Sequence, residues 1–321
     1  MTRMQRVCIL GGSGFVGRHL ANRLHDRGIF SRIPTRRRER AKKVLVVPGL
    51  ELIQADIHDT DRLTELFREC DAVVNLVGIL NERGFDGSGF HRAHVALTEK
   101  VLAACRATGV KRLIHMSALG ADADNGPSHY QRTKGQAERL VLDAADELNV
   151  TVFRPSVIFG PEDSFLNQFG TLLKLSPGVF PLPTPQARFS PVYVGDVAQA
   201  FADCIDDRET FGQSYDLCGP ETWTLAALVR YTAEVAGLRR FVWPLNDTLS
   251  RLQARVLQRL PGKPYSWDNY LSATVDNVCD CNHLPELGIA PTAVEAVVPG
   301  YLAERRQRAR YNQFRQHAGR P

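Results

Sequence analysis

The stretch Gly11-Gly12-Ser13-Gly14-Phe15-Val16-Gly17 stands where a short apolar run, residues 7–10, gives way to an amphipathic stretch of helical length, residues 15–27. Its glycines at 11, 14 and 17 fall at a spacing with a physical meaning. Without Cβ atoms, the first two allow a tight turn and let backbone N–H groups approach a pyrophosphate, which then rests on the positive end of the helix. Gly17 lets the helix lie close on the strand. A glycine-rich turn alone is a weak signal, but strand, spacing and helix agree here. Gly11, Ser13, Gly14, Phe15, Val16 and Gly17 are therefore expected to bind a dinucleotide.

Around this turn, as far as residue 155, apolar runs alternate with amphipathic stretches. The runs are residues 7–10, 29–33, 52–54, 72–77, 112–116 and 150–153, with helices expected at 15–27, 62–69, 90–107 and 131–148. Several runs are rich in β-branched residues, as in strands buried on both faces. The alternation predicts an α/β fold, with residues 1–155 forming a Rossmann-type, doubly wound parallel sheet of six strands whose ligand lies at their carboxyl ends. Five prolines within residues 176–191 exclude a long helix there and point to a loop-rich lid or crossover. Residues 156–321 read as a smaller, mixed substrate or partner lobe, with helices at 196–205, 225–236 and 246–260 and a strand near 215–217.

The end of the second strand bears on the choice of nucleotide. NAD binders usually place an acidic residue about 20 residues past the glycines, on the ribose 2′-hydroxyl. Here the chain reads Thr35-Arg36-Arg37-Arg38, and Arg36 offers a planar fork of donors to a 2′-phosphate. NADP(H) is the expected cofactor, with NAD(H) the second choice. Asp56 and Ile57 are placed beside the adenine, with a plain helix cap as the alternative role for Asp56. Leu76, Val77 and Gly78 are placed in a loop beneath the cofactor. The fifth strand ends in Ser117, and Tyr130 and Lys134 follow on a helix start at i and i+4, on one face. An ammonium beside a phenol is expected to lower the tyrosine pKa from about 10. Tyr130 then exchanges a proton with a substrate that Ser117 orients.

These residues resemble the short-chain dehydrogenase/reductases, in particular the extended or atypical branch, over nearly the whole chain. Arg154-Pro155-Ser156-Val157-Ile158-Phe159-Gly160 is similar to the family's loop over the nicotinamide, which adds Pro155 and Val157 to the expected cofactor contacts. Residues 191–198 are similar to the family's entry into the substrate lobe. Residues 215–221, 276–278 and 287–289 resemble a narrower group, the nucleotide-binding accessory subunits of respiratory complex I and their bacterial relatives, some linked to ubiquinone metabolism. One departure is that His94 stands where the family usually has an asparagine completing a relay with Ser, Tyr and Lys. The resemblance implies three functions, taken in this order: a redox-linked NADP(H)-binding protein with a respiratory or quinone-related partner; an active reductase or dehydrogenase of a lipophilic carbonyl or quinone-like substrate; and a nucleotide-sugar epimerase or dehydratase. The narrower group is often regarded as holding its nucleotide without turnover, so the resemblance leaves open whether the chain is an NAD(P)-dependent oxidoreductase or binds its nucleotide without turnover.

Composition limits the remainder. A formal charge of +5 over 321 residues does not mark a nucleic-acid binder. Seven cysteines in no regular framework predict reduced thiols, and the Cys279/Cys281 pair lacks a second pair that would complete a metal site, so no metal is expected. The apolar run that begins at Val7 leaves no room for a leader, and no apolar run reaches spanning length, which together predict a cytoplasmic protein. Leu245, Leu249, Leu252, Val256 and Leu260 recur along one helix face, and Arg251, Arg255 and Arg259 along another. The commoner arrangement buries such leucines against the lobe. The alternative is peripheral contact with the inner face of the cell membrane, aided by Arg305, Arg306, Arg308 and Arg310.

Overall fold

The computed structural model describes residues 5–261 and 263–303. The arginine cluster at 305–310 lies outside them. The chain runs β1 (Arg6–Leu10), α1 (Phe15–Asp26), β2 (Phe30–Thr35), β3 (Leu50–Gln54), α2 (Thr60–Phe67), β4 (Ala72–Asn75), α3 (Ser88–His91), a π turn (Arg92–Ala96), α4 (Leu97–Thr108), β5 (Arg112–Met116), α5 (His129–Leu142) and β6 (Asn149–Pro155). It continues through β7 (Ile158–Phe159), α6 (Leu166–Leu175), β8 (Val179–Leu182), β9 (Arg188–Phe189), β10 (Val192–Tyr193), α7 (Val194–Asp203), β11 (Gln213–Leu217), β12 (Trp223–Thr224), α8 (Leu225–Val235), β13 (Phe241–Pro244), α9 (Asp247–Leu257), α10 (Trp267–Ser272) and α11 (Val294–Leu302).

The central sheet is parallel, in the order β11-β6-β5-β4-β1-β2-β3. It has seven strands, not six: the expected strand near 215–217 pairs with β6 from Gln213↔Thr151 to Leu217↔Pro155 and extends the sheet. Alternation along β1 shows why both faces are covered. Val7 and Ile9 join α1 and α7 in one core, while Cys8 and Leu10 join α2, α4 and α5 in the other. The chain builds outward from β1 to β3, then returns to β4 on the other side, so the switch point lies between β1 and β4, where such sheets bind ligands.

Three expected elements differ in detail. β4 ends at Asn75 because its side chain accepts from the Val77 N–H, turning the chain out of the sheet. The helix expected over 90–107 is interrupted by the π turn that carries His94, and α5 ends at Leu142 rather than 148. The proline-rich stretch holds only β8, loops and β9, and β8 pairs in parallel with β13.

The cysteines are not all reduced thiols. Cys218 and Cys279 form a disulfide, with Cα atoms 6.2 Å apart, while Cys8, Cys70, Cys105 and Cys204 are buried and free. Asn282 brings the two segments together, its side chain accepting from the Cys218 N–H and donating to the Cys218 carbonyl. The remaining Cys281 has its sulfur, His283 a ring nitrogen and Glu286 an oxygen within 4.8 Å of one another, but His283 Nδ1 already accepts the Asp216 N–H.

Candidate functional site

Glycine is required at the turn after β1. Gly11 has φ +78°, and a Cβ there would lie 3.2 Å from the Leu76 carbonyl carbon; one on Gly17 would lie 2.4 Å from the Gly12 Cα. The first contact shows that the Leu76–Gly78 loop lies against the glycine turn, and the second that α1 sits directly on it. Gly14 is the N-cap of α1 and offers no side chain to its first turn, which also contains no acidic residue. Asp59, Ser128, Thr224, Asn246 and Ser266 cap α2, α5, α8, α9 and α10, while α6, α7 and α11 share with α1 the lack of a side-chain cap. An uncapped positive helix end beside a cradle that any Cβ would fill fits a pyrophosphate. The loop after β6 reaches the same place: a Cβ on Gly160 would come 3.4 Å from the Phe15 ring.

At the end of β2, Arg36 is exposed. Burial, then Arg92, Lys100 and Arg36, lowers the pKa of His58 against an opposing pull from Asp56, so these charged groups share one neighbourhood. Arg92 and Lys100 come from the π turn and α4, and nothing in the sequence pattern signalled their approach. Asp56 accepts the His58 N–H and does not cap α2, a task that falls to Asp59.

The third part lies at the ends of β4, β5 and β6. Lys134 Nζ donates to the Met116 carbonyl at 2.8 Å, and a Cβ on Gly78 would lie 3.3 Å from the same nitrogen. The structure thus brings Gly78, Lys134 and the residue before Ser117 together. Burial lowers the Lys134 pKa to about 8. Ser117 is buried and its Oγ has no hydrogen-bond partner among the described residues, although its N–H donates to the Phe153 carbonyl. A buried hydroxyl of that kind fits a substrate or nucleotide oxygen.

Tyr130 sits in the first turn of α5. Burial, with Asp268 adding to it, pushes its pKa up to about 12, so the expected lowering by Lys134 is not what the structure gives. The ammonium is bonded to the Met116 carbonyl, and desolvation dominates at the phenol. His94 is a fixed strut in this arrangement. Its Nε2 accepts the Ile79 N–H at 3.2 Å, leaving Nδ1–H to donate to Thr133 Oγ1 at 2.9 Å. Burial, Lys134 and His115 lower its pKa to about 2. Both ring nitrogens are therefore engaged, Nε2 by a backbone N–H and Nδ1 by the Thr133 hydroxyl. Its ring centroid lies 5.6 Å from that of Tyr130, edge to face.

Two anchors come from the far end of the chain. Asp268 in α10 accepts the backbone N–H groups of His129 and Tyr130, capping the helix that carries the tyrosine. Asn277 Oδ1 accepts from Ser156 Oγ and the Val157 N–H, while its Nδ2 donates to the Leu119 carbonyl. One side chain thereby ties the loops after β5 and β6, with Pro155 and Val157 beside it.

A glycine cradle at the switch point of a doubly wound sheet, with Ser, Tyr and Lys at the carboxyl ends of its strands, defines a dinucleotide-binding protein of the extended short-chain dehydrogenase/reductase type. The chain belongs to the NAD dependent epimerase/dehydratase family, whose model matches residues 7–218. It is 28% identical over 313 residues to the "NADH-ubiquinone oxidoreductase 40 kDa subunit, mitochondrial" of Neurospora crassa, spanning 95% of this chain and 80% of that one. It is 36% identical over 180 residues to the "4-hydroxy-2-methyl-3-oxo-4-farnesyl-3,4-dihydroquinoline-1-oxide ketoreductase" of Stigmatella aurantiaca, spanning 51% and 53%. In fold it is similar to the dTDP-glucose 4,6-dehydratase DesIV of Streptomyces venezuelae, solved with NAD bound (TM-score 0.74, 20% identity, 93% and 96% covered).

Proposed function

We propose that the chain holds NADP(H) in the glycine cradle and serves a redox-linked role in respiratory or quinone chemistry. Residues 1–155 carry the nucleotide and residues 156–321 the substrate or partner. The observation that carries the cofactor choice is Arg36 at the end of β2, where residues 35–38 read Thr-Arg-Arg-Arg with no carboxylate among them, and with Arg92 and Lys100 sharing its neighbourhood. The role is supported by likeness to the 40 kDa subunit, named as part of an NADH-ubiquinone oxidoreductase. The location proposed with it is cytoplasmic and peripheral, at the inner face of the cell membrane. Among the described residues no helix is long and apolar enough to cross a membrane.

A second reading, reduction of a lipophilic carbonyl or quinone-like substrate, is favoured by the site chemistry and by likeness to a ketoreductase whose named substrate carries a farnesyl chain. Bound NADPH would supply hydride. Tyr130, its pKa held near 12, keeps its proton at neutral pH and is set to donate it to a substrate oxygen. The unpartnered Ser117 hydroxyl is free to orient that oxygen.

Titrating wild type and Arg36→Glu with NADPH and NADH tests the first reading. Wild type should bind NADPH roughly ten- to a hundredfold tighter, as a charged, forked contact contributes on that order, and Arg36→Glu should lose the preference. Equal affinities in wild type overturn it. For the second reading, Tyr130→Phe should abolish reduction of a short-chain, water-soluble quinone while leaving NADPH affinity within about twofold; retained turnover rules the phenol out as donor.

A further inference from the structure

Helix α9 is packed the wrong way round for a helix of a folded core. Its buried residues are Ser250 and Ala254, whereas Leu249, Leu252, Val256 and, just beyond its end, Leu260 are 37–57% exposed. The small side faces the protein because Ser250 Oγ accepts the Thr184 N–H and donates to the Asn246 carbonyl, bringing the helix onto the end of β8. The neighbouring β8/β13 ribbon behaves alike. Val179 and Phe241 are paired and exposed, Trp243 is exposed two residues on, and Val242 between them goes to the core. Single exposed apolar residues need no explanation, but a run of them on adjoining elements marks a surface that is covered in use.

Arg251, Arg255 and Arg259 line the flank of the leucine row, and all are exposed. Asp247, the acidic residue of the helix, is already engaged by Arg251 and Tyr270. Arg251 is thus neutralised, and Arg255, over the Trp267 ring, and Arg259 leave the face with net positive charge, which a second copy of the same face would repeat rather than complement. An anionic bilayer takes the leucines into its acyl boundary and meets the arginines at headgroup level.

The surface also leads to the site. Lys263 donates to the Leu260 carbonyl through its N–H and to the carbonyls of Arg83 and Gly84 through Nζ, which lies over the Phe85 ring. Asn269 of α10 donates to the Leu80 carbonyl, and α10 caps the helix of Tyr130 through Asp268. Leu80 and Phe85 are 58% and 63% exposed, so the leucine row continues into an apolar rim beside the site. We propose that α9, the β8/β13 ribbon and this rim dock on an anionic lipid bilayer and turn the site beside the rim toward it, so that an amphiphile with an isoprenoid-like tail enters from the lipid. The substrate class rests on the reduction reading above; the docking does not.

Flotation of the full chain with phosphatidylcholine vesicles, with and without about a third phosphatidylglycerol, tests the docking. Wild type should float with the anionic vesicles at low salt and less so as salt rises. Leu252→Glu/Val256→Glu should lower partitioning by at least tenfold, since burying each such side chain in lipid is worth roughly that factor, and Leu252→Ser/Val256→Ser should fall between. All three should bind NADPH alike, which shows that they fold. A wild type that stays behind with anionic vesicles at low salt overturns the proposal. So does a wild-type dimer that the glutamates turn into a monomer, for then a second copy covers the row. Reduction of the short-chain quinone without vesicles reports on the enzyme reading separately.

Discussion

Helices α1 and α9 carry the same kind of sequence, apolar residues at helical spacing beside a row of basic ones, and sit oppositely in the molecule. α1 buries Val16, Leu20, Ala21 and Leu24 between the sheet and α7 and turns Arg23 outward. α9 buries Ser250 and Ala254 and turns its leucines outward. Periodicity reports that a helix has an apolar face; it does not report what that face meets. For α1 the partner is specified nearby, since the glycine turn fixes the helix on β1 within seven residues. For α9 the seat is fixed by hydrogen bonds to a strand some seventy positions earlier, and the apolar face is left over.

Truncating equivalent leucines should expose this difference most strongly on the α1 side. Leu20 is fully buried. Leu20→Ala should destabilise by about 3–5 kcal/mol, the range for a buried leucine whose cavity only partly collapses, measured by urea unfolding at neutral pH. A loss below about 1 kcal/mol would mean that α1 is seated as loosely as α9.

The sheet half should also carry a steep acid sensitivity. Burial and Lys134 lower the pKa of His94 to about 2 and of His115 to about 3. Below pH 6.5 the unfolded chain takes up protons at these rings that the folded chain refuses. Stability attached to the neutral rings is therefore complete above pH 6.5 and falls as the solution is acidified toward pH 3. Each histidine contributes a slope of about 1.4 kcal/mol per pH unit inside that window. Urea midpoints between pH 7 and 5 should drop accordingly, and His115→Asn should flatten the slope by one histidine's share. An unchanged slope in that variant would show that His115 titrates normally in the folded protein.

What the sequence disclosed follows the range of the interactions. The glycine turn, the strands up to β6 and the pairing of Tyr130 with Lys134 on one helix are set by spacings of a few residues, and the structure keeps them. β11 is visible as a strand, but not as the seventh of the sheet, because its partner β6 lies some sixty residues earlier. Asp268 is an ordinary polar residue in the sequence and Asn277 is marked there only by resemblance, with no role; their work on Tyr130 and Val157 exists only once the lobe is docked. The pKa of Tyr130 went the other way for a related reason. Helical spacing puts an ammonium near a phenol, but whether the charge or the desolvation prevails depends on what Lys134 is bonded to, here the Met116 carbonyl.

The smallest effect belongs to α9, and its smallness is what gives it value. Leu252 is 57% exposed, so its truncation removes little area that folding had withdrawn from water. Leu252→Ala should shift the unfolding free energy by no more than about 0.5 kcal/mol in either direction, as surface substitutions do, and should leave NADPH affinity unchanged. Alanine keeps the helix, since its propensity is at least that of leucine. A loss of 2 kcal/mol or more would place Leu252 in a buried contact and return α9 to the pattern of α1. A neutral result, set against the loss expected for Leu20→Ala, would confine the role of the leucine row to whatever the protein meets outside its own fold.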